Sequence, residues 1–139
     1  MGKVRAVCIS AEKGTAKHNV DEAELLARHG LKGDAHAGDW HRQVSLLSYQ
    51  AIKDFGADVE DGAFGENIVA EDIDLKNLPL GSKLHCGTAI LEITQIGKEC
   101  HNPCEISKRM GDCIMPREGI FAKVIQAGKV KTGDAIHVE

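Results

Sequence analysis

Glycine sets the grain of this chain: 15 glycines against 3 prolines, spread every few residues along 139 positions. Glycine costs about 1 kcal/mol against alanine inside a helix, and it opens backbone conformations that tight turns need. Long helices are thereby disfavoured, and short apolar runs are left between the breaks. Lys3 to Ile9 reads as a strand, and Gln43 to Leu47 ("QVSLL") reads as another. Ser48 can cap a short helix, "YQAIKDF", stopped by Gly56. "SKLHCGTAILEITQI" has the pattern of a hairpin turning near Cys86-Gly87, with a second arm rich in β-branched residues. "GIFAKVIQAG" has helical spacing and a glycine stop, whereas "GKVKTGDAIHV" predicts strand, Gly-Asp turn and strand. "VDEAELLARHG" combines good helix formers with strands on either side, and stays open between the two. The expectation is a mainly β chain, a barrel or sandwich with a few short helices. Strands do not alternate with long helices, as a parallel sheet requires.

The length of 139 residues fits a single domain, 1–139, able to bury a core without a staple. Aromatic residues make up only 4%, which leaves no stacking platform for single-stranded nucleic acid. A net charge of −4 likewise argues against a nucleic-acid partner, whose backbone requires a basic face. No run approaches membrane-spanning length, and "MGKVRAVCIS" lacks the apolar stretch of a secretory signal. Five cysteines without an export signal suit a reducing compartment, so a cytoplasmic protein with no membrane partner is expected.

Three of those cysteines fall within "IGKECHNPCEISKRMGDC", between Ile96 and Cys113. Asn102-Pro103-Cys104-Glu105 has the order of a helix start: an Asn cap, Pro at the first helical position, and Glu three residues after the cap. Cys104 would then face unpaired backbone N–H groups at the positive end of the helix dipole, which lowers a thiol pKa. Lys98, His101, Lys108 and Arg109 add positive charge, partly opposed by Glu99 and Glu105. The competing reading is a small buried cysteine, and local sequence leaves both open. A structural zinc site is disfavoured, because two ligand pairs at knuckle spacing are missing. Cys100 and Cys104 stand in a C-x-x-x-C pair, which is not the usual redox spacing. Cys8 in its apolar strand and Cys86 in its turn are expected to be structural.

Two other segments are dense in chemistry-bearing residues. In "HGLKGDAHAGDWHRQVSLLS", Gly33 and Gly38 allow the backbone to approach a ligand closely. Arg42 offers a planar fork for phosphate or another oxyanion, and His36 and His41 can ligate a metal or hydrogen-bond a polar ring. A solvated loop of ordinary turn residues would have the same composition. In "GAFGENIVAEDI", Gly65-Glu66-Asn67 reads as a tight turn, either delivering two polar side chains or simply turning.

Taken in order, "GLKGDAHAG…HRQVSLLS", "GAFGENIV", "ITQIGKECHNPCEI" and "GKVKTGDAIHV" resemble the MOSC family, the molybdenum cofactor sulfurase C-terminal domain, from about Lys3 to Val138. The likeness is to the small stand-alone bacterial type. It implies a closed mixed β-barrel with small helices. It also implies that Cys104 is the family's cysteine, carrying sulfur as a persulfide or ligating molybdenum, with Cys100 an extra thiol that could take part. Gly33, Asp34, His36, Glu66 and Asn67 would line the molybdenum-cofactor (molybdopterin) pocket, with Arg42 and Arg117 meeting the pterin phosphate. The chain shows neither the second barrel nor the pyridoxal-phosphate sulfurase domain of larger members, and no pyridoxal-phosphate site is visible in it. A cysteine desulfurase or other sulfur donor is therefore the expected partner, with a molybdoenzyme or cofactor-biosynthesis protein as acceptor. The resemblance admits two alternatives: a non-catalytic cofactor- or metal-binding module, and a molybdenum-dependent reductase of N-hydroxylated compounds that needs electron-transfer partners.

Cys104 should therefore alkylate well below the ordinary thiol pKa of about 8.5, and faster than Cys8 or Cys86. A pH series of iodoacetamide labelling read by peptide mass checks this; equal rates at neutral pH would remove the activated thiol.

Overall fold

The structure, a computed structural model, describes residues 2–12, 16–55, 60–97 and 118–139. Gly56, the Asn102-Pro103 helix start, Cys100, Cys104, Cys113 and Arg117 lie outside the described residues. The elements are β1 (Gly2–Ile9), β2 (His18–Asn19), β3 (Glu22–Leu26), β4 (Gly30–Leu31), β5 (Val44–Ser48), α1 (Tyr49–Phe55), β6 (Ile68–Glu71), β7 (Lys83–Cys86), β8 (Ala89–Ile96), β9 (Ile120–Gln126), β10 (Gly128–Lys131) and β11 (Ala135–Val138).

Seven of these strands form a closed ring in the order β11-β7-β8-β9-β5-β6-β1, with β1 pairing back onto β11. Closure is made by Gly2 opposite Ile136 and Lys3 opposite Ala135. Six joins are antiparallel and one, β5 with β6, is parallel, so the barrel is mixed. Closing a sheet in this way leaves no open edge along the ring. The short β2 adds to the end of β1, and β10, β3 and β4 form a second small sheet.

Alternation sorts the side chains. Val4, Val7, Leu46, Ile68, Leu84, Leu91, Ile93, Ile120 and Ile136 fill the interior. A second cluster lies on the outer wall: Ala6, Cys8, Leu47, Val69 and Phe121 are covered by Ile52 of α1 and by Phe64. Four adjacent strands are therefore buried on both faces over part of their length, and that outer cover carries the candidate site.

The hairpin turning after Cys86, the short helix after Ser48 and the closing pair of strands are as expected from sequence. "GIFAKVIQAG" is not helical: it is β9, paired with β5 on one side and β8 on the other. Ile120, Ala122 and Val124 point into the barrel; on the outer face Phe121 is buried while Lys123 and Ile125 are exposed, so apolar residues stand on both faces and polar alternation is weak. Spacing of Ile120 to Val124 and Phe121 to Ile125 then imitates helical periodicity. "EAELL" is also a strand, β3, held between β10 and β4 despite its helix formers. In "EAELL" tertiary pairing overrides helix propensity, whereas in "GIFAKVIQAG" the strand formers agree with the structure and only the spacing misleads.

Candidate functional site

At one rim of the barrel β1 ends, while β5 and β6 begin. Val7 stands opposite Ile68, and Leu46 also stands opposite Ile68, so the three strand ends are neighbours. The two polar segments singled out in the sequence converge here.

Asn67 ties the three strands together. Its amide nitrogen donates to Cys8 O at 3.0 Å, and its side-chain oxygen accepts from Ser45 N at 2.9 Å and from Ser45 Oγ at 3.1 Å. Its own backbone N–H donates to Ser45 O at 3.0 Å, and its carbonyl accepts from Cys8 N at 2.6 Å. A fully buried amide satisfied in this way is costly to replace.

Glu66 is fully buried beside it. Its two oxygens accept from Gly62 N and Phe64 N, each at 3.0 Å, and the turn folds around the carboxylate. Gly62 has φ +89°, and a Cβ there would lie 2.3 Å from Lys17 O, so only glycine fits. Burial pushes the Glu66 carboxyl up to about 7, against the opposing pull of those backbone N–H groups.

Asp34 is buried against the same strand ends. Oδ1 accepts from Ser10 N at 3.1 Å and from Lys17 Nζ at 2.7 Å, while Oδ2 accepts from His36 N at 3.2 Å. Burial works against its ionisation. The bond and charge of Lys17, with Ser10 and Asn67, outweigh burial and hold the carboxyl below its ordinary range. Lys17 Nζ also lies 3.0 Å from His36 Nδ1.

Arg42 stands over two aromatic rings, its guanidinium carbon 4.7 Å from the Trp40 centroid and 5.7 Å from that of Phe121. Its Nε is buried and has no hydrogen-bond partner among the described residues. Trp40 connects the two polar groups, since its Nε1 donates to His36 O at 2.8 Å while its ring carries Arg42. His41 Nε2 lies 3.0 Å from Gln95 Oε1, and Thr94 Oγ1 donates to His41 O. Gln95 in turn donates to Gly97 O at 2.8 Å, and Gly97 N donates to Gly119 O at 2.7 Å. Gly97 and Gly119 flank the segment that contains Cys100, Cys104 and Arg117, so the Trp40–Arg42 loop is bonded to the root of the cysteine segment.

Of the residues picked out by sequence, Asp34, His36, Glu66 and Asn67 meet at this rim, joined by Gly33 (φ +87°) in the turn before Asp34. Arg42 joins through Trp40. Cys100, Cys104 and Arg117 lie outside the described residues. Among the described residues no group of three or more His, Cys, Asp or Glu could hold a metal. Cys8 and Cys86 are fully buried, and burial pushes both thiols up to about 12, as structural cysteines require. Sequence reasoning missed Lys17, a lone lysine in "GTAKHNV", and Trp40, whose role is visible only through its two contacts.

Glu66 carries a pH signature. A carboxyl with a raised folded-state pKa binds its proton more tightly folded than unfolded, so stability falls as pH rises between the two values. Unfolding free energy should drop by up to about 3 kcal/mol between about 4.5 and about 7. Urea titrations across that range check this; Glu66→Gln, which cannot ionise, should lose the slope, and a variant that keeps it would assign the slope elsewhere.

A family model for the MOSC domain matches residues 33–137. Among solved structures, the chain is similar to YuaD from Bacillus subtilis, with 22% identity over 99% of this chain and 96% of that one and a TM-score of 0.80. YiiM from Geobacillus stearothermophilus is 16% identical over 100% of this chain and 75% of its own, with a TM-score of 0.74. YiiM from Escherichia coli is 19% identical over 99% and 69%, with a TM-score of 0.68. No curated protein matches the chain. Identities this low speak for the fold alone; the family rests on the domain match, which spans most of the barrel and both polar segments. The chain belongs to the MOSC family.

Proposed function

We propose that this protein serves molybdenum-cofactor metabolism as a cofactor-binding sulfur carrier, with Cys104 as the sulfur-bearing thiol. The observation that carries this is Arg42, whose planar cation is held by two aromatic rings with a buried Nε left unpaired, beside the root of the cysteine segment. A buried donor without a partner costs free energy, and a phosphate oxygen would satisfy it. The site therefore suits the phosphate of a pterin cofactor, with Arg42 and Arg117 as its cations. A bound molybdenum cofactor would supply a thiophilic metal, for which a cysteine thiolate is a fitting ligand or sulfur donor.

The protein's own part is to receive and hold sulfur. The Cys104 thiolate attacks the outer sulfur of a cysteine desulfurase persulfide. The donor S–S bond breaks, its cysteine leaves as a thiolate, and Cys104 keeps the sulfane sulfur in a new S–S bond. Cys100 can then attack the Cys104 sulfur, giving a Cys100–Cys104 disulfide and releasing hydrosulfide. The two thiols are oxidised and the sulfane sulfur is reduced, so electrons balance. Delivery to a molybdoenzyme or a cofactor-biosynthesis protein would compete with that loss. Asp34, Glu66 and Asn67 hold the rim rigid, and the fully buried Glu66 and Asn67 act through the backbone they fix.

Incubation with a cysteine desulfurase and free cysteine should add one sulfur mass to Cys104. The Cys104→Ser variant should lose it, while Cys100→Ser should keep it longer than the parent. Sulfur on neither thiol would leave a binding module without a carrier role. Arg42→Ala should weaken molybdopterin or a phosphate-bearing analogue by about 1.5–3 kcal/mol in calorimetric titration, with the fold intact. Equal affinities would make Arg42 a packing residue.

A further inference from the structure

Among the described residues Lys17 is the one cation in the buried polar set, and the proposed sulfur transfer makes no use of it. The Lys17 and Asp34 side chains are both completely shielded from solvent. Such a pair is seldom kept for stability alone, because desolvating two charges offsets much of their attraction. Its geometry gives it another role.

Nζ lies 2.7 Å from Asp34 Oδ1 and 3.0 Å from His36 Nδ1. Paired with a carboxylate held in its charged form, Lys17 is an ammonium, with three protons to give and no lone pair. Its contact with Nδ1 can only be N–H···Nδ1, so Nδ1 is unprotonated and the neutral ring carries its proton on Nε2. Asp34 also accepts the His36 backbone N–H, and His36 O accepts from Trp40 Nε1, so main chain and ring are held together. A protonated ring would set an imidazolium N–H against an ammonium N–H at the same 3.0 Å.

We infer that Lys17 is a positioning residue which, anchored by Asp34, locks His36 as its Nε2–H tautomer and makes that ring nitrogen a neutral hydrogen-bond donor. Nε2 then has no lone pair to offer a metal, which sets aside the metal-ligand reading of His36. The donor suits an anion, whether thiolate, persulfide or phosphate oxygen. That last step rests on the proposed function; the tautomer does not.

Two-bond nitrogen–proton NMR on the 15N-labelled full chain at neutral pH reads the tautomer directly, with His36 assigned through His36→Gln. The wild type should show a single Nε2–H pattern for His36. Lys17→Met should replace it with an averaged mixture of both tautomers. That variant leaves Asp34 uncompensated and can fail to fold, so Lys17→Met/Asp34→Asn removes both charges and keeps an oxygen for Ser10 N–H. An Nδ1–H, doubly protonated or mixed ring in the wild type overturns the inference. So does a pure Nε2–H ring in the folded double variant, and if no variant folds the wild-type spectrum decides. Sulfur loading of wild-type Cys104, measured in parallel, reports on the function alone: an Nε2–H ring in a protein that takes no sulfur upholds the lock and sinks the carrier reading.

Discussion

Pairing of the first strand with the last is the constraint from which the rest follows. Gly2 opposite Ile136 and Lys3 opposite Ala135 turn an open sheet into a ring, and every ring strand then has two partners. Gly2 has to be small there, since a Cβ would lie 2.8 Å from Glu71 O and from Ile73. Closure gives the chain an interior that its aliphatic residues fill, and an outer wall that must be covered separately. The cover over β9, β5, β6 and β1 comes from α1 and the turn around Glu66. Polar groups trapped under that cover could no longer reach water, and they are the groups that make the rim.

The rim is built from buried polar groups that satisfy one another. Asn67 bonds β1 and β5 across β6, Glu66 closes its own turn, and Asp34 gathers Ser10, Lys17 and His36. Such networks specify a unique arrangement only when every member is satisfied. Their pH responses have opposite signs. Asp34 is held below its ordinary carboxyl range, so its contribution is present above that range and is lost as pH falls through the folded value. Glu66 is raised, so its ionisation weakens the fold as pH rises toward about 7. Arg42 differs: among the described residues it is held by two rings, and its Nε, like that of Arg5, has no hydrogen-bond partner.

Much of this was legible in the order of residues. Glycines and short apolar runs announced a β architecture, because turn chemistry is local; around Gly33-Asp34 and Glu66-Asn67 the same turn chemistry left a site and an ordinary turn equally open. The helical reading of "GIFAKVIQAG" failed because the outer face of β9 carries apolar Phe121 and Ile125 on either side of Lys123, and apolar residues on both faces blur the period-two signal. Lys17 was invisible for a similar reason: nothing local distinguishes a solvated lysine from one shielded by a partner 17 residues away.

The sequence by itself determined the strand-rich class, the punctuation, the family and the residue types available for sulfur and anion chemistry. Periodicity, turn preference and motif order are properties of neighbours along the chain. Only the tertiary structure decided which strand ends share a rim, and that Trp40 holds His36 on one side and Arg42 on the other. It also decided that the Lys17 ammonium faces Nδ1 of His36. Those outcomes depend on burial and on contacts between distant segments, and neither exists until the barrel closes.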